Sequence, residues 1–255
     1  MHPQRIELQR NGAIGDRQFF AVTTDHKLIS ASKHGELMRF ESSFDAAKQE
    51  LSLSDDLGQV SRGIVEEGAA FQASFFARRL VDARTLVGPW SEHLSDVLGF
   101  KVIAAQVQPT HVAADNKAAS LVSNASIIAC GKALGDPTLD SRRFRMLIEV
   151  AGPHPHEEDE WQGRLAAIGE AHVALRTRIL RCAQTTRNPE SGLIDRKVLK
   201  AILDYRGPLE TGQGVGAAMG VHVDVIAGGI VANGDPMYLL DPGDDNPRAN
   251  SEVTH

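Results

Sequence analysis

The sequence predicts an α+β fold in which β-strands dominate. Short apolar, β-branched runs separated by turn residues recur along the chain, as strands require. Helical spacing of apolar residues is confined to a few stretches, and the first eighty residues hold no long periodic helix. No internal repeat or low-complexity linker interrupts the pattern.

The elements follow in order. "RQFFAVTT" and "KLISAS" read as strands joined by a hairpin at Asp25 and His26, and "QELSLS" and "AAFQASFFA" continue the β pattern. In "GPWSEHLSDVLG" the period changes: Trp90, Leu94, Val97 and Leu98 share a helical face, and Gly99 supplies the stop. "FKVIAAQV" is the next strand. In "SNASIIACGKALG", Ser123 is placed to cap a helix that ends at Gly135. "RRFRMLIEV" reads as a strand over 142–150 and "HVALRTRILRC" as another over 172–182. "DRKVLKAILDY" carries Val198, Leu199, Ile202 and Leu203 at helical spacing behind Asp195, the expected cap. "VHVDVIA", "GIVANGD" and "PMYLL" are short closing strands. The polar, Pro- and Asp-rich residues 241–255 are expected to be disordered.

At 255 residues, 42% of them hydrophobic and 24% charged, the chain has the makeup of a globular protein with a sizeable core. Its formal charge of −6 argues against general binding to nucleic acid or an anionic membrane, so any anion site must be a local arginine cluster. Two cysteines without a CxxC pattern exclude a disulfide scaffold and a Cys-rich zinc site. With no signal-peptide core and no apolar run long enough to span a bilayer, the expected location is cytoplasmic.

Several motifs invite a chemical reading. "GQGVGAAMG" loosely matches a dinucleotide fingerprint, but it lacks the strand before and the helix after that such a site needs, and reads as a flexible turn or a close backbone approach. "HPHEEDEW" holds two histidines without the i, i+4 spacing of hydrolytic zinc sites and reads as a solvated turn, with Glu158 or Asp159 as a possible anchor for a neighbouring strand. Neither a G-x-S-x-G elbow nor a P-loop is present. Cys130, among Ile127, Ile128, Ala129 and Leu134, reads as a buried hydrophobe.

The segment "RCAQTTRNPESG" is different, since it places Cys182 between Arg181 and Arg187. Nearby positive charge favours the thiolate, which is both the nucleophile and the soft-metal ligand. From its neighbours alone, Cys182 is equally a functional or a structural thiol. Thr185, Thr186 and Asn188 either bond around it or cap the turn before Pro189. Arg143 and Arg145, two apart on the expected strand, would present two guanidiniums on one face, suited to phosphate, and Arg17 could join them.

Taken together, these segments resemble the MOSC-domain family, named for the C-terminal domain of molybdenum cofactor sulfurase. "RCAQTTRNPESGLIDRKVLKAIL" resembles its hallmark segment, and "GAIGDRQFF" the Gly-Asp-Arg motif of the β-rich lobe that precedes many such domains. "LVSNAS", "RRFRMLIEV", "EDEWQGRLAAIG" and "GVHVDVIAGGIVANGDPMYLL" follow in the family's order, so the resemblance runs from Gly12 to Leu240. It implies a MOSC β-barrel core with packed helices over 86–240 and a partial β-rich N-terminal lobe over 1–85.

The relatives it points to, the mitochondrial amidoxime reducing component and YcbX-like proteins, bind molybdopterin-ligated molybdenum. By that resemblance Cys182 is the metal ligand and catalytic centre. Arg17, Ser123, Arg143, Arg145, Arg181 and Thr185 become cofactor contacts. The implied activity is reduction of a small N-hydroxylated or N-oxide substrate. No ferredoxin domain follows, so the electron donor is expected to be a separate protein: a ferredoxin, a cytochrome b5-like protein or a flavoprotein reductase. The family's Pro-x-Lys-Ser opening is not found ahead of Gly12, Leu147 stands where Asn is common, and His222 stands where tyrosine is common. Two other implied readings are a cofactor or sulfur carrier with a persulfide on Cys182, and a binding module without metal.

Overall fold

The structure is a computed structural model that describes residues 3–76, 79–108, 117–152 and 154–241. The expected disordered tail therefore lies outside the described residues, apart from Asp241. The chain is β-dominated, as its short alternating runs require.

In the first part of the chain the strands are β1 (Arg5–Gln9), β2 (Gly12–Ala13), β3 (Phe19–Val22), β4 (Glu41–Asp45), β5 (Glu50–Ser54), β6 (Val60–Ile64), β7 (Glu66–Phe75) and β8 (Arg79–Val87). Helix α1 (Trp90–Leu98) and β9 (Ile103–Val107) complete it. The expected turn at Asp25 and His26 forms, with Thr23 N donating to Lys27 O at 2.9 Å, but "KLISAS" contributes only isolated bridges and no strand. Sheets β3-β9-β8-β7 and β4-β5-β6 build an N-terminal lobe. Trp90 anchors α1 in it, buried to 1% exposure and donating its indole N–H to Leu51 O at 3.2 Å. Behind it, His93 Nδ1 lies 2.9 Å from Ser61 Oγ, and its Nε2 lies 3.4 Å from Asp55 Oδ2. This buried Ser-His-Asp set ties α1 to the β5–β6 hairpin, in line with the lack of any hydrolase motif.

The second part contains β10 (Ala119–Ser123), α2 (Asn124–Leu134), β11 (Ile148–Val150), β12 (Leu165–Ile168), β13 (Ala171–Leu180) and α3 (Val198–Arg206). It closes with β14 (Leu209–Thr211), β15 (Gly214–Gly216), β16 (Ala218–Ala227), β17 (Gly229–Ala232) and β18 (Met237–Leu239). A six-stranded sheet, β11-β10-β16-β13-β12-β18, curls into a half-barrel. Val173, Leu175, Val221 and Val223, all fully buried on its central strands, form the middle of the core. Alternation on β13 and β16 breaks at bulges between Leu175 and Leu180, and the strand turns out of the sheet two residues before Cys182.

Tertiary pairing divides the chain differently from a boundary at residues 85 and 86, which falls inside β8. Strand β1 pairs with β17 and buries Leu8 in the half-barrel core, whereas α1 and β9 pack with the N-terminal lobe. A strand's partner is chosen by long-range pairing, which local composition does not encode.

Three local expectations are corrected. The segment 142–150 is mostly not strand: Ser141–Phe144 is a 3₁₀ turn, and only Ile148–Val150 pairs in the sheet. Asp140 accepts from Arg142 N at 2.9 Å and starts that turn, and Arg145 closes it in the left-handed region, at φ 50°. The side-by-side placement of Arg143 and Arg145 on a strand face therefore does not hold. Asp195 does not cap α3, which begins at Val198 after Lys197 with no side-chain cap. "HPHEEDEW" is not a solvated turn, because Glu158 and Asp159 are buried. Glu158 accepts from Ser126 Oγ at 2.9 Å, while Asp159 accepts from Arg178 of β13 at 2.8 Å and from Arg206 of α3. The turn thus anchors a strand, as one reading of it allowed.

The two lobes meet where the segment after Cys182 crosses the N-terminal lobe. Arg187 donates to Ser32 O at 3.1 Å and to Gly192 O at 2.7 Å. Gly35 and Gly192 stack backbone to backbone. A Cβ on Gly192 would lie 1.9 Å from Gly35 O, and the position has φ +70°. Gly192→Ala is expected to cost about 2–3 kcal/mol, from overlap plus left-handed strain, read as a lower denaturant midpoint with an unchanged m-value.

Candidate functional site

Cys182 is exposed and caps the 3₁₀ turn Ala183–Thr186, which leaves the end of β13. Its carbonyl accepts from Thr185 N at 3.2 Å and from Thr185 Oγ1 at 3.0 Å. Thr185 is buried to 1% and acts on the site by fixing the turn beneath the thiol. Cys130, in contrast, is fully buried between α2 and α3, as expected, and burial pushes its thiol up to about 11.

Two connected hollows open beside Cys182. The larger, about 1120 Å³, lies between the lobes and is bordered at this end by Arg17, Arg145, Arg181, Cys182, Gln184 and Gln213. The smaller, about 140 Å³, shares those six residues and runs into the half-barrel past Lys117 and His222.

Each guanidinium comes from a different element. Arg17 follows β2 in the Gly-Asp-Arg turn with φ 51°, pairs with Asp16, and donates to Arg145 O at 3.4 Å, bridging the lobes. Arg145 projects from the left-handed position that ends the 3₁₀ turn. Arg181 donates to Phe144 O at 2.5 Å and lies 5.7 Å from the centroid of the Phe144 ring. An arginine held by a carbonyl and an aromatic face keeps a fixed orientation while retaining its charge.

Arg143 reaches only the smaller hollow, and its two terminal nitrogens are already engaged. They donate to the Asp195 carboxylate at 2.7 and 2.8 Å, and Nη1 also donates to Arg187 O at 2.7 Å. At 5% side-chain exposure this bidentate pair holds the Cys182 segment in place. It depresses the Asp195 carboxyl below its ordinary range. Ser123 borders neither hollow. It is fully buried and caps α2 as expected, accepting from Ser126 N at 3.2 Å. The expectation that Ser123 touches the cofactor is therefore corrected: the cap turns its hydroxyl into the core.

Sequence reasoning missed Gln184, Gln213, Lys117 and His222 as part of this site. Gln213 lies in the glycine-rich turn read as merely flexible, at the tip of the β14–β15 hairpin. Among the described residues, the buried Gln184 Nε2 and Gln213 Oε1 have no hydrogen-bond partner. Such atoms are costly unless a ligand or water satisfies them.

Burial, then the nearby Arg181 and Lys117 charges, lower His222 to about 4 from an ordinary 6.5. Its ring is therefore neutral at pH 7. The unfolded chain takes up a proton here at a higher pH than the folded chain, so this group lowers stability as pH falls from 6.5 toward 4. His222→Gln is expected to flatten that part of the stability–pH profile relative to the parent chain, measured by urea denaturation. Arg143→Lys, which loses the fork, is expected to cost about 3 kcal/mol in the same assay.

Among the described residues no helix is long and apolar enough to cross a membrane, and no group of three His, Cys, Asp or Glu side chains gathers to hold a metal. No curated protein matches the chain. Among solved structures, the crystal structure of YiiM from Geobacillus stearothermophilus aligns at 16% identity and a TM-score of 0.37, covering 71% of this chain and 76% of that one. The family model described as the MOSC domain matches residues 108–238, half of the chain and all of the half-barrel from β10 to β18. The chain belongs to the MOSC-domain family, a family that binds the molybdenum cofactor.

Proposed function

We propose that this chain holds the molybdenum cofactor in the interlobe cavity, with Cys182 as the metal's protein ligand, and reduces N-hydroxylated or N-oxide substrates with electrons from a separate donor protein. The observation that carries this reading is the convergence of an exposed thiol with Arg17, Arg145 and Arg181 on one cavity of a protein with net charge −6. Local guanidinium density in an acidic chain suits an anionic group such as the cofactor's phosphate.

The residues present fit that group. Cys182 supplies one soft donor, which suits a metal whose other ligands belong to an organic scaffold. Gln184 Nε2 offers an unused donor and Gln213 Oε1 an unused acceptor, which complement the polar edge of a pterin. When bound, the cofactor would supply the two-electron chemistry that removes oxygen from nitrogen.

The chain's own residues do the rest. Thr185 fixes the Cys182 carbonyl and with it the direction of the thiol. Arg181, oriented by Phe144, keeps positive charge beside the thiol. His222 stays neutral at pH 7 in the recess it shares with Arg181 and Lys117. Arg17 joins the N-terminal lobe to the Arg145 carbonyl, so the two walls of the cavity are held together at the cationic end.

The exposure of Cys182 also favours a second reading, a carrier that presents sulfur or cofactor to a partner enzyme. One preparation separates the two. Protein from a molybdate-replete host is expected to carry stoichiometric molybdenum that is lost in Cys182→Ser, and to reduce benzamidoxime with an artificial electron donor. Sulfane sulfur on Cys182 without molybdenum would establish the carrier instead.

A further inference from the structure

The cationic residues line only one end of the larger cavity. Beyond Lys33 and Arg79 its wall turns apolar, with Phe19, Phe20, Leu28, Phe40, Leu53 and Trp90 lining the arm that runs into the N-terminal lobe. On β9 the buried Ala104 and Ala105 border the cavity. The lobe's apolar residues accordingly fall into two clusters. One is built on Leu51, Leu86 and Trp90, and the other on Val22, Phe75 and Val81. Protein interiors rarely keep unfilled apolar space, because lining atoms without neighbours forfeit contact energy. Such an arm suits an occupant whose apolar surface leaves water as it enters.

We propose that this arm is the specificity pocket of the site and takes the aryl or alkyl body of an N-hydroxylated substrate, with the polar N–O head toward Cys182. The proposal rests on the oxidoreductase reading for the head group and on the arm's own chemistry for the body. The polarity of the cavity sets the orientation: guanidiniums at the thiol end, hydrocarbon at the other. A small polar hydroxylamine would leave the arm unfilled, and a purely apolar ligand would strand the arginines.

Trp90 makes the test direct. Its ring borders the arm from the buried side, at 1% exposure, and is fixed by the bond to Leu51 O, while Trp161, the other tryptophan, packs against the half-barrel core. Metal-free protein is titrated with benzamidoximes carrying a para-alkyl chain from methyl to butyl, followed by tryptophan fluorescence and by calorimetry. Each added CH₂ is expected to tighten binding about threefold to fourfold. The fluorescence response disappears in Trp90→Phe while calorimetric binding persists.

Ala31 and Ser42 line the cavity and are partly or fully exposed, so Ala31→Phe and Ser42→Phe narrow it without touching the buried clusters. Both are expected to flatten the dependence on chain length and to weaken the butyl compound at least tenfold. If either fails a melting test for folding, Leu53→Gln, at a half-buried wall position, is expected to weaken the butyl compound in the same direction. Affinity independent of chain length, or variants that fold and bind the butyl compound like the parent, would overturn the proposal. Because binding is read without metal, a chain that carries no molybdenum but shows the chain-length series loses the oxidoreductase reading and keeps the pocket. A molybdenum-loaded, active chain without the series keeps the first and loses the second.

Discussion

The bidentate Arg143–Asp195 pair, with Arg187 beside it, governs the geometry of the whole site. Residues 181–196 have almost no regular structure of their own, and a segment of that kind keeps one conformation only if its polar groups are satisfied from outside. Arg143 grips the far end of the segment through Asp195 and its middle through the Arg187 carbonyl. Arg187 in turn fastens the segment to the N-terminal lobe through Ser32 O and folds it back on itself through Gly192 O. The two lobes, the thiol and the cavity between them keep their relation because the buried Arg143 and the half-buried Arg187 are each tied to several acceptors.

The division of labour among the arginines follows from the same constraint. Arg143 and Arg187 have become structural, with their forks closed on a carboxylate and on carbonyls. Arg17, Arg145 and Arg181 stand around the cavity instead, with Arg17 held by Asp16 and the Arg145 carbonyl and Arg181 by the Phe144 carbonyl. A second layer supports them: the buried Asp159 joins β13 to α3, and Glu158 joins the Ser126 end of α2 to the same turn. Carboxylates buried so completely are tolerable only with such partners. Their cost is offset by locking the strand that delivers Arg181 and Cys182.

The cavity then has two chemical characters by construction. Its cationic end is built where the half-barrel strands stop and the 3₁₀ turns begin. Its apolar arm is built by the inner faces of the N-terminal sheets, whose alternating residues point toward the lobe's interior. Joining the two on one volume is a consequence of lobe docking and of nothing in either lobe alone.

The sequence by itself determined the β-dominated class, the three helices, the caps at Ser123 and Gly135, the buried state of Cys130, and the segment around Cys182 as the candidate site. Each of these is written in local period, turn residues or side-chain type, which act over a few positions. Only the tertiary structure decided that β1 joins the half-barrel while α1 and β9 belong to the N-terminal lobe, because strand partners are chosen by pairing across long separations. It also decided which arginines face the cavity and which are locked away. Arg143 and Arg145 are identical in type and two residues apart, yet a 3₁₀ turn started by Asp140 sends one into the Asp195 fork and the other to the cavity. Gln213 looked like turn filler for the same reason. A side chain's role at a site depends on what lies opposite it, and that is set by packing over distances that local sequence does not specify.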